Sequence, residues 1–423
     1  MKKLFVNGTV YTRNGFETKN FTIEESSIRI MDSAVDCSSF DTIIDCANKY
    51  IVPGFVDVHV HLREPGFFYK ETIKTGTKAC ARGGYTTVFT MPNLKPAPST
   101  YETLKQQLDI IEKDACIKVI PYGTITMNQS GTGELAKMEE MVDYVCGFSD
   151  DGKGIQADSL MKEAMLKAKS LNKPIVAHCE DETLLFNGYI HKGEYAKAHG
   201  HDGICSESEW HQIARDIELV KETGVKYHVC HVSAKESVDV IRKAKAEGVD
   251  ITCETGPHYL VLTDSDLQEE GRFKMNPPLR AQADKEALIQ GILDGTIDMI
   301  ATDHAPHSKE EKSKGLKGSA FGIVGIETAF PILNTYLVKQ NIITLEQLID
   351  LMCIKPRQRF DLPEVYIEND YPADFTILDL DVKGKVDSQT FLSMGKATPF
   401  DGYDTIGDIV QTYCDGKLVY SKD

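Results

Sequence analysis

At 423 residues, with 41% hydrophobic side chains, the chain can bury a large core, and its composition excludes a fibre or a disordered polypeptide. Lys and Arg number 47 against 64 Asp and Glu, and the resulting net charge of -17 argues against a nucleic-acid or anionic-membrane surface. A small anionic substrate stays open, because a local cluster of metal and arginine overrides the global field.

In chain order, the N-terminus begins with Lys2 and Lys3 like a signal peptide but has no apolar stretch behind them. No run is apolar for long enough to span a bilayer. The 11 cysteines are scattered without CxxC spacing, and Cys80, Cys179, Cys230 and Cys253 sit in apolar runs as small hydrophobes. A cytoplasmic setting is expected. The first fifty residues form short β-like pieces such as 3–6 and 21–23, broken by Asn7-Gly8 and polar turns. The stretch from about Ala373 looks similar, punctuated by Gly384, Gly402, Gly407 and Gly416. These ends are expected to build one small β-sandwich domain, 1–52 plus 360–423, around a middle domain at 53–359.

In the middle, apolar runs recur at 51–60, 86–90, 117–122, 144–148, 174–177, 227–229, 250–253 and 298–302. Amphipathic helical stretches, for example 159–170, 207–221, 235–248 and 284–293, lie between most of them. Eight strand-like runs separated by helices read as a (β/α)8 TIM-type barrel, an α/β fold, with an open doubly wound sheet as runner-up. The charged stretch 308–318 reads as a loop.

The chemistry collects at the ends of these runs. His59 and His61 are two apart, so on a strand both project to one face, as two imidazoles on one metal must. His178, His231 and Asp303 each close a further apolar run, and Asp150-Asp151 closes another. In a barrel the C-terminal strand ends converge on one pocket, so five strands would deliver an N/O ligand set suited to zinc or a similar divalent ion. Spacing alone does not choose between Asp150 and Asp151. His228, three residues before His231, would face away from the pocket. His258 would orient a loop, His304 would be structural, and His191, His199, His201 and His211 would lie at the surface. Trp210 would pack.

The segment Asp57-Val58-His59-Val60-His61-Leu62-Arg63-Glu64-Pro65-Gly66 resembles the signature of the dihydroorotase family (class I type) in the amidohydrolase superfamily. The likeness continues through 84–93 (GYTTVFTMPN), 148–152 (FSDDG), 178–181 (HCED), 231–233 (HVS), 254–258 (ETGPH), 275–280 (MNPPLR), 302–307 (TDHAPH) and 321–328 (FGIVGIET). It implies a zinc-dependent enzyme of pyrimidine biosynthesis that closes N-carbamoyl-L-aspartate to L-dihydroorotate and water, reversibly. His59, His61 and Asp303 would hold one zinc ion, His178 and His231 a second, and Asp151 would bridge them where many relatives carry a carboxylated lysine. Asp150 would be a turn or supporting residue, and Lys153 has no assigned role. Substrate contacts would come from His61, Arg63, Asn93, Asn276 and His307, with backbone contacts at Phe321 and Gly322. A hydroxide between the metals would attack the ring carbonyl, and Asp303 would serve as general base and then general acid. The segment 308–318 would order over substrate as a lid.

The resemblance also implies a homodimer and leaves room for an association with aspartate transcarbamoylase. The nearest rival activities are hydantoinase, dihydropyrimidinase and allantoinase, which generally use a carboxylated lysine at the bridge and need no arginine two residues past HxH. A non-catalytic homologue serving as a structural partner of the transcarbamoylase is a rival of another class. Such homologues tend to lose metal ligands, and this chain keeps the full set.

Overall fold

The structure is a computed structural model, and it describes residues 2–32 and 36–422. Met1, residues 33–35 and Asp423, all within the expected terminal β domain, lie outside the described residues.

Seven parallel strands make up most of the barrel: β1 (Phe55–Val60), β2 (Tyr85–Thr90), β3 (Lys118–Pro121), β4 (Ile175–Ala177), β5 (Tyr227–Val229), β6 (Ile251–Thr255) and β7 (Met299–Ile300). They pair in two arcs, β1-β2-β3 and β4-β5-β6-β7. The expected strand at 144–148 survives only as bridges from Phe148 to Gly123 on one side and Ile175 on the other, which join the arcs. Val60 pairs with His304 and closes the ring. Asp57 ties that closure from below, accepting from the Thr302 amide at 3.1 Å and the Thr302 hydroxyl at 2.6 Å. Every residue of β1 and β2 is buried, as parallel strands covered by helices on one face and a packed interior on the other must be. The helices Asp158–Ser170, Glu207–Thr223, Lys235–Ala246 and Gln282–Leu293 stand where the amphipathic stretches were read.

The run 51–60 divides. Tyr50–Pro53 joins the terminal sheet and β1 joins the barrel, with Gly54 as the pivot. A Cβ at Gly54 would stand 2.2 Å from the Thr86 side chain, so only glycine lets the chain pass there. The terminal sheet runs Lys417–Ser421, Asp404–Cys414, Phe375–Lys385, Tyr50–Pro53, Lys3–Thr12, Gly15–Glu24, Ser27–Met31, with Thr42–Asp45 added beside Lys3–Thr12. The rings of Phe5 and Tyr413 lie 5.3 Å apart although three strand spacings, roughly 14 Å in a flat sheet, separate their strands. The sheet therefore folds over a core of Phe5, Phe21, Phe375 and Tyr413. Phe360, at the expected domain boundary, packs against Phe89, Tyr122 and His228, which belong to separate staves, and so plugs one end of the barrel.

Two expectations change. Residues 308–318 are two short helical turns, Lys309–Lys312 and Gly315–Gly318, anchored by a buried Lys312. His191 is buried, hydrogen-bonded to Arg280, while His199 and His211 are exposed and His201 is half-buried.

Candidate metal centre

β1 carries His59 at its C-terminal end, and His61 follows directly after the strand. His59 Nδ1 donates to Glu254 Oε1 at 2.7 Å, and His61 Nδ1 to Asn93 Oδ1 at 2.8 Å. With those nitrogens engaged, both Nε2 atoms turn inward toward Asp151 and Asp303, His59 Nε2 without a hydrogen-bond partner and both placed to meet a cation. Asp303 Oδ1 lies 2.9 Å from His61 Nε2 and 3.5 Å from His59 Nε2. Asp151 Oδ1 lies 3.4 Å from His59 Nε2, 3.7 Å from His178 Nδ1 and 3.6 Å from His231 Nε2. The ligand atoms of His59, His61 and Asp151 fall within 4.8 Å of one another, and so do those of Asp151, His178 and His231. Asp151 is thus common to two adjoining groups.

Three observations fit this donor set to cations. His59 Nε2 and Asp151 Oδ1 are buried without a hydrogen-bond partner, an arrangement that costs several kcal/mol of desolvation unless something charged fills it. His178 Nδ1 faces His231 Nε2 at 3.0 Å, a separation that needs a proton or cation near both lone pairs. Burial alone would raise the Asp151 carboxyl, yet the imidazoles of His59 and His231 hold it well below the ordinary range. Asp303 is likewise buried but held ionised by His59 and His61. Cys230 also lies near His59, but burial pushes its thiol far up, so it stays a neutral packing group.

Backbone conformation aims these side chains. His231 (φ 33°), Asp303 (φ 47°) and Arg63 (φ 64°) take left-handed conformations just past their strand ends, and each such non-glycine position costs about 1–3 kcal/mol. His228, as expected, stays out of the cavity wall and is hydrogen-bonded: its Nε2 bonds Glu254 Oε2 at 3.0 Å, and its Nδ1 meets Thr252 at 2.8 Å. Glu254 therefore sits between His59 and His228, and also accepts from the His231 amide. The strand-end reading missed it, although it closes the apolar run 250–253 in the same way that Asp303 closes 298–302. Glu180 was missed too: it accepts from Asn276 Nδ2 at 2.9 Å and lies 3.5 Å from His178 Nε2.

The Asp150–Asp151 ambiguity has a geometric answer. Asp150 accepts the amides of Ile125 and Thr126 and the Thr126 hydroxyl, so both its oxygens are consumed by one loop. Asp151 alone turns toward the histidines. His304 accepts from the Gly325 amide at 3.3 Å and stays neutral, pushed down to about 3 by burial and by His61 and Arg63. His258 is buried beside Gly256 and absent from the cavity wall.

A cavity of about 210 Å³ opens over these ligands, smaller than the roughly 300–1,000 Å³ of drug-sized sites and suited to a metabolite. His61, Arg63, Asn93, Asn276, His307, Phe321 and Gly322 all line it, together with Asp151, His178, His231 and Asp303. Arg63 is 7% exposed. Its Nε donates to the Pro306 carbonyl at 3.1 Å and its Nη2 to His307 Nε2 at 3.2 Å. Burial lowers it from its ordinary value to about 10, so it remains a cation at neutral pH. His307 is held neutral near 3 by burial, Arg63 and Lys70. The floor is thus acidic and histidine-rich, and the wall presents a buried guanidinium. Such a site can hold divalent ions at one end and a carboxylate at the other.

Comparisons with known proteins agree with this geometry. A family model described as "Dihydro-orotase-like" matches residues 48–237. The protein named "Dihydroorotase" from Bacillus licheniformis is 47% identical over 425 residues, covering 100% of this chain and 99% of its own. The one so named from Enterococcus faecalis is 48% identical over 428 residues, covering 100% of each. Among solved structures, the L-hydantoinase (dihydropyrimidinase) from Arthrobacter aurescens superposes with a TM-score of 0.87 at 26% identity, covering 99% of this chain and 96% of that one. The dihydropyrimidinase from Brevibacillus agri gives 0.86 at 23% identity, covering 100% and 95%, a likeness of fold.

Proposed function

The chain belongs to the dihydroorotase family of cyclic-amide hydrolases, and from that premise we propose that it interconverts N-carbamoyl-L-aspartate and L-dihydroorotate on a two-zinc centre. His59, His61 and Asp303 would hold one ion, His178 and His231 the other, with Asp151 shared. When bound, the ions would lower the pKa of a water and polarise the ring carbonyl. The remaining work falls to the chain. Arg63 grips the ring carboxylate with two charge-assisted hydrogen bonds, and Asn93 and Asn276 fix the ring beside it. Asp303, ionised and buried, takes a proton in the ring-opening direction and returns it to the departing amide nitrogen, and the biosynthetic direction reverses these steps. Phe321 and Gly322 meet the ring through their backbone. The observation that carries the reading is the buried Arg63 guanidinium in the same cavity as the ligand cluster. An uncharged ring would leave it unpaired.

Hydantoinase activity is the second reading, favoured by the structural likeness to the Arthrobacter aurescens enzyme. The test is ring opening of L-dihydroorotate by zinc-reconstituted protein, with hydantoin, dihydrouracil and allantoin alongside and Asp303→Asn as a control. Turnover of dihydroorotate far above that of the uncharged rings, lost on chelation and reduced by several orders of magnitude in Asp303→Asn, is expected. Preference for an uncharged ring would reject the substrate, and near-normal turnover by Asp303→Asn would reject the proton role. Through its resemblance to other family members we further propose a homodimer in the cytoplasm, to which an aspartate transcarbamoylase can bind.

A further inference from the structure

A buried ammonium pins one wall of the cavity. Lys312 is 8% exposed, and its Nζ donates to three carbonyls: Lys274 at 2.9 Å, Ala320 at 2.7 Å and Gly322 at 2.6 Å. An ammonium has three N–H groups and no acceptor, so all of its donors are used. The carbonyls belong to two separate segments. Ala320 and Gly322 flank Phe321, whose residue and neighbour Gly322 line the cavity, and Lys274 lies two residues before the cavity residue Asn276. The Gly322 amide closes the junction by donating to the Lys274 carbonyl at 3.1 Å. Lys274 itself reaches over the Phe321 ring, 4.4 Å from its centroid, and donates to the Lys317 carbonyl.

The backbone leaves this wall little latitude. Gly322 has φ +122°, and a Cβ there would stand 2.8 Å from Ala305 Cβ and 3.1 Å from His307 Nε2. A shift of the 320–322 backbone therefore reaches the face that meets Arg63's partner. Nothing apolar would hold the wall in Lys312's place, since its three anchor points are all carbonyl oxygens. Burial and the nearby Lys274 charge lower the Lys312 ammonium to about 7, while Glu311 on its own helix favours the charged form. His307 faces the same group and is itself lowered in part by Lys312. The convergence of three carbonyls on one nitrogen favours keeping a compact cation there.

We infer that Lys312 is a positioning residue for substrate binding: it clamps the Phe321–Gly322 wall to the Asn276 segment and so sets the affinity of the site for its ring substrate. The inference rests on the dihydroorotase reading for the identity of that substrate. Gly322 abuts His307, which bonds Arg63, so with the ring carboxylate on Arg63 the wall would meet the carboxylate end rather than the scissile amide, and its contacts would contribute alike to ground and transition states. Loss of such contacts raises KM and leaves kcat in place.

Lys312→Met removes the donors at similar volume. Lys312→Arg keeps a charge but spreads its donors over a plane that three converging carbonyls cannot share. In both variants KM for L-dihydroorotate should rise at least about tenfold with kcat within about threefold, and amide exchange across 320–322 should quicken about tenfold. If the Met variant does not fold, the Arg variant carries the test. KM within twofold of the parent, or kcat falling while KM holds, overturns the clamp, and so does unchanged amide exchange. A parent enzyme that does not open dihydroorotate refutes the function instead, and the exchange result still decides the clamp.

Discussion

Replacing Arg63 by Met tests whether the buried guanidinium reads a substrate carboxylate. The guanidinium has five N–H donors, of which Nε is engaged by Pro306 and one Nη2 hydrogen by His307. Three donors remain on a side chain that lines the cavity, enough for a parallel pair to a carboxylate. Each hydrogen bond to a charged partner contributes about 1.5–3 kcal/mol, so losing the pair should cost about 3–6 kcal/mol, a factor of roughly 10² to 10⁴ in kcat/KM. Methionine matches the aliphatic stem and adds no charge, so the histidine–aspartate cluster keeps its place. The assay compares kcat/KM for L-dihydroorotate with that for dihydrouracil, which lacks the carboxylate. The loss should fall on dihydroorotate, with the uncharged ring changed by less than about threefold. Equal losses on both rings would mean that Arg63 supports the wall rather than the carboxylate. A loss below threefold on dihydroorotate would refute the clamp outright.

Two further outcomes follow from groups behind the cavity. Glu254→Gln keeps the shape but exchanges one acceptor for a donor, so His59 and His228 can no longer both donate to it. Metal affinity, read by competition with a chromogenic chelator, should fall roughly 10- to 100-fold, and undiminished affinity would count against Glu254 as the orienting group. Glu209 is buried, which by itself raises its carboxyl, but Arg280 and the hydroxyls of Ser233 and Ser237 hold it below its ordinary value. Its folded pKa is thus depressed, so its stabilisation is complete above the unfolded value near 4.3 and is lost as pH falls through the folded value. The melting-temperature advantage of the parent over Glu209→Gln should be constant near neutrality and shrink below about pH 4. A gap that stays the same down to that range would reject this linkage.

The legible part of the site is the part whose signal lies within one strand. His59 and His61 share a face because a strand repeats every two residues, and His178, His231 and Asp303 each end an apolar run. Those local periods were enough to bring five staves to one pocket. The barrel itself was readable for the same reason, even where the stave at 144–148 keeps only the Phe148 bridges.

The illegible part depends on backbone groups far along the chain. Asp150 and Asp151 differ because Asp150 is consumed by amides of Ile125 and Thr126, 24 to 25 residues earlier. His228 keeps out of the cavity wall as a packing and hydrogen-bonding residue, as expected, but its partner Glu254 lies 26 residues on, and nothing near His228 in the sequence announces it. The stretch 308–318 read as a loop because lysines usually face water, whereas Lys312 is satisfied by carbonyls, which every residue carries and no sequence distinguishes. His191 was assigned to the surface for want of any sign that Arg280 would cover it. A buried polar side chain paired with another side chain leaves two marks in a sequence, and one paired with backbone leaves only its own. Asp150 and Lys312 are of the second kind, and Lys312 is the one of the two whose partners flank the cavity wall at Phe321.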